Sequence, residues 1–128
     1  MPACSIGKTP TPRAAEIGIQ NLVALGSHQD VSAADLHLML ENKDFVLVNV
    51  HIPFEGNISK TDLSLPYNQI AQYLDKLPDK DVKIVLYCRS GRMSAIAAET
   101  LVNLGYTNVW NLSGGMSGWE NAGFMIEH

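Results

Sequence analysis

The chain has 128 residues, of which 46% are hydrophobic and 17% charged, and this fits one globular domain with an ordinary core. The net charge of −4 and the lack of a basic stripe argue against a nucleic-acid partner, and no apolar run reaches the length of a membrane span. The two cysteines, Cys4 and Cys88, are too few for a fold built on disulfides.

Residues 1–26 indicate an irregular lead-in that could pack on a domain formed by residues 27–128. Three prolines lie in the first 13 residues, and the apolar residues of 14–25 are compatible with either a helix or a strand. The start lacks the charged and apolar regions of a signal peptide, so a cytoplasmic location is the default expectation and export after signal removal is the alternative. Cys4 is interpreted as incidental, with a role as resolving partner of Cys88 as the alternative.

Helix and strand patterns alternate after residue 27. Ser32 as an N-cap, with Asp35 three residues later, predicts a helix over residues 31–42. The apolar run Phe45–Val50 predicts a strand buried on both faces. Residues 67–77 have helical spacing and predict a helix that Pro78 ends. The predicted inward residues of the two helices are Leu36, Met39 and Leu40 in the first, and Ile70, Tyr73, Leu74 and Leu77 in the second.

The second half of the chain repeats the alternation. A strand that begins at residue 82 and ends in Cys88 is followed by a helix that ends near Leu104, before Gly105. A further strand over 108–112 leads through a glycine-rich turn into a short last helix. The predicted inward residues of the helix before Gly105 are Ile96, Ala97, Leu101 and Leu104. Strands alternating with helices at this spacing predict a three-layer α/β fold, with a mostly parallel central sheet flanked by helices.

Cys88 is the last residue of the strand predicted from residue 82, and it precedes a polar loop and a helix. Backbone N–H groups can converge at such a turn, and the positive end of a helix dipole points at it, so an anion is favoured there. The nearest candidate anion is the thiolate of Cys88 itself. Arg89 and Arg92 add two positive charges, and no carboxylate lies close to them in the sequence. The stretch therefore predicts a cradle for a reactive thiolate or for the anionic group that it carries.

A free cysteine is more often a small buried hydrophobic residue, but its position here favours chemistry. Open α/β sheets bind ligands outside the carboxyl ends of their strands, where Cys88 is expected. If the strand 45–50 lies beside it, His51 and Glu55 would border the same pocket, and a solvated loop is the alternative. No metal site and no dinucleotide cofactor is predicted, because the histidines are scattered and no glycine-rich nucleotide turn follows a strand. The four histidines are His28, His37, His51 and His128.

Residues from about 30 to 124 resemble a single rhodanese-like (sulfurtransferase) domain. The resemblance lies in Tyr87-Cys88-Arg89-Ser90-Gly91-Arg92-Met93-Ser94-Ala95, Leu104-Gly105-Tyr106-Thr107-Asn108-Val109 and Leu112-Ser113-Gly114-Gly115-Met116-Ser117-Gly118-Trp119. It implies that Cys88 takes a sulfur from thiosulfate or another small sulfur-containing anion, holds it as a persulfide and passes it to cyanide, a thiol or a protein acceptor. No cofactor is implied. The residues expected to bind the substrate are Arg89, Ser90, Gly91, Arg92, Met93, Ser94 and His51.

Three departures from the family pattern bear on the substrate and partner surface. Met93 stands where many members carry an arginine, so the charge is shifted to Arg92. The usual Asp-Val-Arg is Asn49-Val50-His51, which suggests His51 as a pH-sensitive polar group near the site. The usual Gly-His-Ile-Pro-Gly-Ala loop is altered to Gly56-Asn57-Ile58-Ser59-Lys60.

Two other functions remain open. Cysteine phosphatases carry an arginine six residues after the cysteine, whereas this chain has Ser94 there and no histidine before Cys88. The five-residue loop between Cys88 and Ser94 is the size associated with sulfur transfer in the resembled family. A non-catalytic sulfur carrier, sensor or docking module of the same fold is the main alternative, because a fold does not establish turnover.

Overall fold

The computed structural model describes residues 27–128, whose backbone forms a sheet of five parallel strands. In chain order these are β1 (Gln29–Val31), β2 (Val46–Asn49), β3 (Leu63–Ser64), β4 (Ile84–Tyr87) and β5 (Val109–Leu112). Across the sheet the order is β1-β5-β4-β2-β3, and every neighbouring pair is parallel. The α/β class with a parallel sheet is therefore confirmed, and β4 lies at its centre beside β2.

Helices connect the strands and cover the sheet. The α-helices of the described residues are α1 (Ala33–Met39), α2 (Arg92–Asn103) and α3 (Gly115–Asn121). Short 3₁₀ helices span Leu40–Asn42, Tyr67–Gln72 and Leu74–Lys76. Within residues 27–128 no helix has the length and apolar character that crossing a bilayer requires.

Side chains alternate between the two faces of each strand, so the strands contribute to two apolar clusters. The cluster on the α1 and α3 side includes Leu36, Leu47, Val85, Tyr87, Leu112, Met116 and Trp119. The cluster on the α2 side includes Val48, Ile70, Ile84, Leu86, Ala97, Leu101 and Val109. Both faces of the sheet are covered, which explains why β2 and β4 are mostly apolar and confirms the three layers.

Helix α1 begins where the sequence predicts. The Ser32 side-chain oxygen accepts a hydrogen bond from the Asp35 N–H at 3.1 Å. Such an N-cap stabilises a helix by about 1 kcal/mol. Leu36 packs inward and is fully buried, whereas His37 is exposed and stacks on Phe124 with 4.1 Å between ring centroids. The inward face of this helix and a structural His37 are therefore as expected.

The buried face of α2 differs in part from the prediction. Ala97 and Leu101 are fully buried as expected, but Ile96 is 44% and Leu104 38% exposed, so their predicted inward positions are wrong. The buried face consists of residues at helical spacing, namely Ser94, Ala97, Ala98, Leu101 and Val102. Small side chains on that face let the helix lie close to the sheet. Hydrophobic periodicity alone predicts burial of the larger apolar residues beside them, which is why Ile96 and Leu104 were placed inward.

The single α-helix predicted over residues 67–77 is wrong, since two 3₁₀ helices occupy that stretch. The Tyr73 N–H bonds to the carbonyl of Ile70, three residues earlier, at 3.1 Å. Pro66, which precedes the first of them, offers no side-chain cap. Without a cap a short helix is weak, and only Ile70 packs fully into the core here.

Two further elements escape the sequence pattern. Strands β1 and β3 have three and two residues, too few for an alternation of polar and apolar residues to be recognised. The predicted lead-in over residues 1–26, with Cys4 and the ambiguous segment 14–25, lies outside the described residues.

Candidate active site

Cys88 lies at the carboxyl edge of the sheet, one residue beyond the central strand β4. The neighbouring strand β2 ends level with it, because Asn49 pairs with Tyr87 and the Val50 N–H bonds to the Tyr87 carbonyl at 2.9 Å. The thiol is free and only 1% of the residue is exposed. The structure therefore places Cys88 at the end of a central parallel strand, in the position where α/β folds bind ligands.

The loop after Cys88 folds back so that its polar groups face the sulfur. The Gly91 N–H donates a hydrogen bond to Cys88 Sγ at 3.0 Å, and the Ser94 hydroxyl lies 3.5 Å from the same atom. Gly91 has a φ of +102°, a left-handed conformation that favours glycine, and helix α2 begins at the next residue, Arg92. A single glycine thus turns the chain tightly enough for the amide and the hydroxyl to converge on the sulfur.

Helix α3 holds the carbonyl side of this loop. The N–H groups of Met116 and Ser117 donate to the carbonyls of Cys88 and Arg89 at 2.8 and 2.9 Å. Gly115 makes that approach possible, because a Cβ on it would lie 2.3 Å from the Cys88 oxygen. With its first carbonyls engaged by α3, the loop keeps its amides available to the sulfur. The glycine pair of the last sequence motif therefore serves the cysteine loop directly.

These contacts set the charge of the sulfur. Burial of Cys88 raises the pKa of its thiol, but hydrogen bonds outweigh burial and leave the pKa below its ordinary value. The Ser94 hydroxyl contributes most to the lowering, followed by the backbone N–H groups of Ser94, Gly91 and Ser90. A lowered pKa increases the fraction of thiolate, which is the nucleophilic form of cysteine.

The structure pairs Arg89 with two carboxylates, contrary to the expectation that none is near. Its Nε and Nη2 atoms donate to Glu55 Oε1 at 3.1 and 2.8 Å, and Nη1 donates to Glu120 Oε1 at 3.3 Å. The hydrogen bond from Arg89 is the main cause that lowers the pKa of Glu55. Arg89 therefore links the loop after β2 to α3, and its positive charge is largely balanced.

Arg92 differs from Arg89 in its surroundings. It is exposed at the first position of α2, and no carboxylate of residues 27–128 forms an ion pair with it. Ser90 is exposed beside it, while Met93 is partly buried against the apolar cluster on the α2 side. Of the two arginines, Arg92 is the one with its charge unbalanced by the described part of the chain.

His51 lies just beyond β2, and 11% of its side chain is exposed. Its Nε2 is 3.0 Å from Glu55 Oε1, so it shares that carboxylate with Arg89. The other ring nitrogen, Nδ1, is buried and has no hydrogen-bond partner among the described residues. His51, Glu55 and Arg89 thus form one polar chain beside the cysteine loop.

Two polar residues in otherwise apolar strands organise the site, although neither was among the predicted site residues. Asn49 donates to the Gly56 carbonyl at 2.8 Å and accepts from the His51 N–H at 2.9 Å, which fixes the loop after β2. Asn111 in β5 accepts a hydrogen bond from the Ser94 hydroxyl. Both are buried, with 1% and 7% exposed. An asparagine inside an apolar strand is the signal that could have identified each of them.

No group of three or more His, Cys, Asp or Glu side chains in residues 27–128 is arranged to hold a metal ion. A groove of about 590 Å³ lies on the α1 and α3 side of the sheet, with Trp119, Phe124 and Met125 among its lining residues. Neither Cys88 nor any other predicted site residue lines this groove. The predicted site residues therefore lie away from this groove.

The chain is similar to a known family of protein domains and to individual members of it. The family model of the rhodanese-like domain matches residues 32–122. A sulfurtransferase of Allochromatium vinosum is 36% identical over 91 residues, which are 69% of this chain and 83% of that protein. A thiosulfate sulfurtransferase of Vibrio cholerae is 31% identical over 102 residues, which are 78% of this chain and 93% of that protein.

A solved structure has the same architecture. The crystal structure of a rhodanese-related protein from Thermoplasma volcanium superposes with a TM-score of 0.66 at 27% identity. The match covers 77% of this chain and 97% of that one. The sheet and its flanking helices are therefore arranged as in that structure.

Proposed function

Because the chain belongs to the rhodanese-like family, we propose that it is a sulfurtransferase acting through a persulfide on Cys88. Its curated sulfurtransferase relatives support this activity in general. The finer proposal is a transfer of sulfane sulfur from thiosulfate, or a similar donor, to cyanide or a thiol. The observation that carries it is the Cys88 sulfur at the sheet edge, facing the Gly91 N–H at 3.0 Å and the Ser94 hydroxyl at 3.5 Å.

In the first half of the reaction, the Cys88 thiolate attacks the outer sulfur of thiosulfate. A bond forms between Sγ and that sulfur as the S–S bond of thiosulfate breaks, and sulfite leaves with the electron pair. The product is a persulfide whose terminal sulfur carries the negative charge. No separate base is required, because the hydrogen bonds to Sγ already favour the thiolate.

In the second half, cyanide or a thiolate attacks the terminal sulfur of the persulfide. The new bond forms as the bond to Sγ breaks, so thiocyanate or an acceptor persulfide leaves and Cys88 returns as a thiolate. The Gly91 amide and the Ser94 hydroxyl then meet a charged sulfur again. The same donors therefore serve the attacking group of the first step and the leaving group of the second.

The charges around the loop favour an anionic donor bound mainly by Arg92. Its guanidinium is exposed and has no ion pair with another described residue, so it can donate charge-assisted hydrogen bonds to the oxygens of thiosulfate. Arg89 already donates to Glu55 and Glu120 and contributes less net charge. His51 contacts Glu55, the carboxylate that also pairs with Arg89, and so lies beside the same loop.

A sulfur carrier that holds the persulfide without fast turnover is the second candidate function. The observation that favours it is the burial of Cys88, which is only 1% exposed. A donor or acceptor can reach Sγ only if the surrounding loop moves aside. A persulfide, once formed, would therefore be protected from solvent and from other thiols. Phosphatase activity is disfavoured, because Ser94 occupies the position of the phosphate-binding arginine and is fully buried against Sγ.

The mass of the intact protein after treatment with thiosulfate tests the proposal. We expect the Cys4→Ser chain to gain one sulfur atom and to lose it on addition of cyanide, with release of thiocyanate. The matched control carries Cys88→Ser as well and should gain nothing. A stable adduct without turnover would assign the carrier role. No adduct, or the same adduct without Cys88, would contradict sulfur transfer at this residue.

An aryl phosphate assayed in parallel with thiosulfate tests the phosphatase alternative. We expect thiocyanate formation and no Cys88-dependent release of the aryl alcohol. The reverse pattern would favour phosphate-ester chemistry over sulfur transfer.

A further inference from the structure

The hydroxyl of Ser94 has three acceptors within reach and one hydrogen to donate. Its Oγ lies 3.5 Å from Cys88 Sγ and 3.3 Å from the Gly91 carbonyl, and Asn111 Oδ1 is the nearest of the three. Ser94 is fully buried, so its hydroxyl is not exposed to bulk solvent. Because a hydroxyl carries a single donor hydrogen, Cys88 and Asn111 compete for it.

Asn111 is placed for this competition by the sheet. It lies in β5, paired with Leu86 of the neighbouring strand β4, and only 7% of it is exposed. Its Nδ2 lies 3.5 Å from the Gly91 carbonyl, a long contact that holds the amide weakly in its present orientation. An amide in this position can also turn over, which would present Nδ2 to Ser94 as a donor in place of Oδ1.

We propose that Asn111 is a positioning residue that controls, through the hydrogen of Ser94, how strongly the Cys88 thiolate is stabilised. While Cys88 is a neutral thiol, Ser94 donates to Asn111 Oδ1, as in the structure. When Cys88 carries charge, the amide turns, Nδ2–H donates to Ser94 Oγ, and the Ser94 hydrogen points to Sγ. The link to catalysis rests on the proposed sulfur transfer, whereas the hydrogen-bond exchange itself does not.

The charge on the sulfur decides which arrangement is favoured. Turning the amide gives up the long contact to Gly91 and brings two acceptor oxygens towards each other, so it is unfavourable beside a neutral thiol. Beside a thiolate or a persulfide, the bond from Ser94 becomes charge-assisted and is about twice as strong as a neutral one. The Ser94 hydroxyl therefore stabilises the charged states selectively, and the turn of the Asn111 amide leaves its hydrogen free to do so in both half-reactions.

The substitutions leave the other charged and titratable groups around Cys88 unchanged. Arg89 and its partners Glu55 and Glu120 lie on one side of the loop, Arg92 begins α2, and His51 follows β2. Ser94, Asn111 and the apolar residues that cluster with Cys88 on the α2 side are uncharged. A change in the pKa of Cys88 on substitution of Asn111 can therefore be assigned to Asn111 and Ser94.

The test is a double-mutant cycle read by the rate at which iodoacetamide alkylates Cys88 in the Cys4→Ser chain, measured over pH. Asn111→Asp keeps the shape but can only accept, so it retains the Ser94 hydrogen and adds a negative charge. We expect the alkylation rate near neutral pH to fall by about tenfold, and to recover as the pH is raised. In a Ser94→Ala background the same substitution should have a clearly smaller effect, because only the charge remains. An equal fall in both backgrounds would overturn the proposal.

Asn111→Ala keeps the test valid if the aspartate variant folds poorly. It removes the strongest competitor for the Ser94 hydrogen, so the alkylation rate should stay at or above that of the parent chain. A fall as large as that caused by Ser94→Ala would mean that Asn111 only holds Ser94 in place, and would overturn the proposal. Thiocyanate formation is measured separately, and its absence in the parent chain would count against the proposed function, not against the hydrogen-bond exchange.

Discussion

The contact between α3 and the cysteine loop can be broken with a single methyl group. Gly115 has a φ of +56°, and a Cβ on it would lie 2.3 Å from the oxygen of Cys88 and 2.7 Å from that of Arg89. Both atoms belong to the backbone, so neither can rotate away as a side chain would. Gly115→Ala must therefore separate α3 from the loop or unfold part of it.

The cost can be estimated from the contacts that are lost. An alanine in the left-handed region costs about 1 to 2 kcal/mol. The hydrogen bonds donated by Met116 and Ser117 at 2.8 and 2.9 Å contribute about 1 kcal/mol each. We therefore expect Gly115→Ala to lower the free energy of unfolding by about 3 to 4 kcal/mol. Release of the loop carbonyls should also raise the pKa of Cys88, because the amides no longer converge on its sulfur.

Gly123→Ala is the matched control. Gly123 has a φ of +95°, but a Cβ on it would meet no heavy atom within 4 Å, so it isolates the conformational cost. Urea denaturation should give a loss of about 1 to 2 kcal/mol for this variant, with the alkylation profile of Cys88 unchanged. Equal losses of stability in the two variants, or an unchanged pKa of Cys88 in Gly115→Ala, would show that the contact between α3 and the loop does not hold the amides on the sulfur.

Three further predictions concern charge at the site. Arg92→Ala should raise the KM for thiosulfate about tenfold with little change in kcat, because a positive charge that binds the donor is lost. Arg92→Lys keeps the charge and should have a KM close to that of the parent chain. An unaltered KM in Arg92→Ala would show that Arg92 does not bind the donor. Glu55→Gln leaves the charge of Arg89 less balanced and should lower the KM for thiosulfate, whereas a higher KM would mean that Glu55 positions Arg89 for the donor. Folding lowers the pKa of Cys88, so the free energy of unfolding should rise with pH between the folded pKa and the ordinary thiol value of about 8.5. That rise, measured by urea denaturation across this range, should disappear in Cys88→Ser, and a rise that persists would contradict a lowered pKa.

Local features of the fold were predictable because neighbouring residues determine them. The cap of α1 requires only Ser32 and the N–H three residues later, and the structure shows that bond at 3.1 Å. The apolar strands β2 and β4 indicated burial on both faces before their neighbours were known. The α-helix predicted over residues 67–77 was wrong because distant contacts, not neighbouring residues, determine that segment. Packing of Ile70 against the α2 side of the core, not helical propensity, decides its conformation.

In the candidate site, too, contacts between adjacent residues were predictable and contacts between distant residues were not. The loop from Cys88 to Ser94 is short in sequence, so the predicted convergence of an amide on the sulfur depended on a few adjacent residues. The partners of Arg89 could not be anticipated, because Glu55 and Glu120 are 34 and 31 residues away. Asn111 is 17 residues from Ser94 and becomes its neighbour only because β5 pairs with β4. Long-range strand pairing, absent from any local pattern, brings these groups together.

The protonation state of Cys88 shows whether the loop holds its sulfur as a thiolate. The ultraviolet absorbance of the thiolate can be titrated in the Cys4→Ser chain, with the chain that also carries Cys88→Ser as the blank. We expect a midpoint below the ordinary thiol value of about 8.5, because the Gly91 amide and the Ser94 hydroxyl hold the sulfur negative. A midpoint at or above that value would contradict it, and Cys88 would then be a buried thiol like any other.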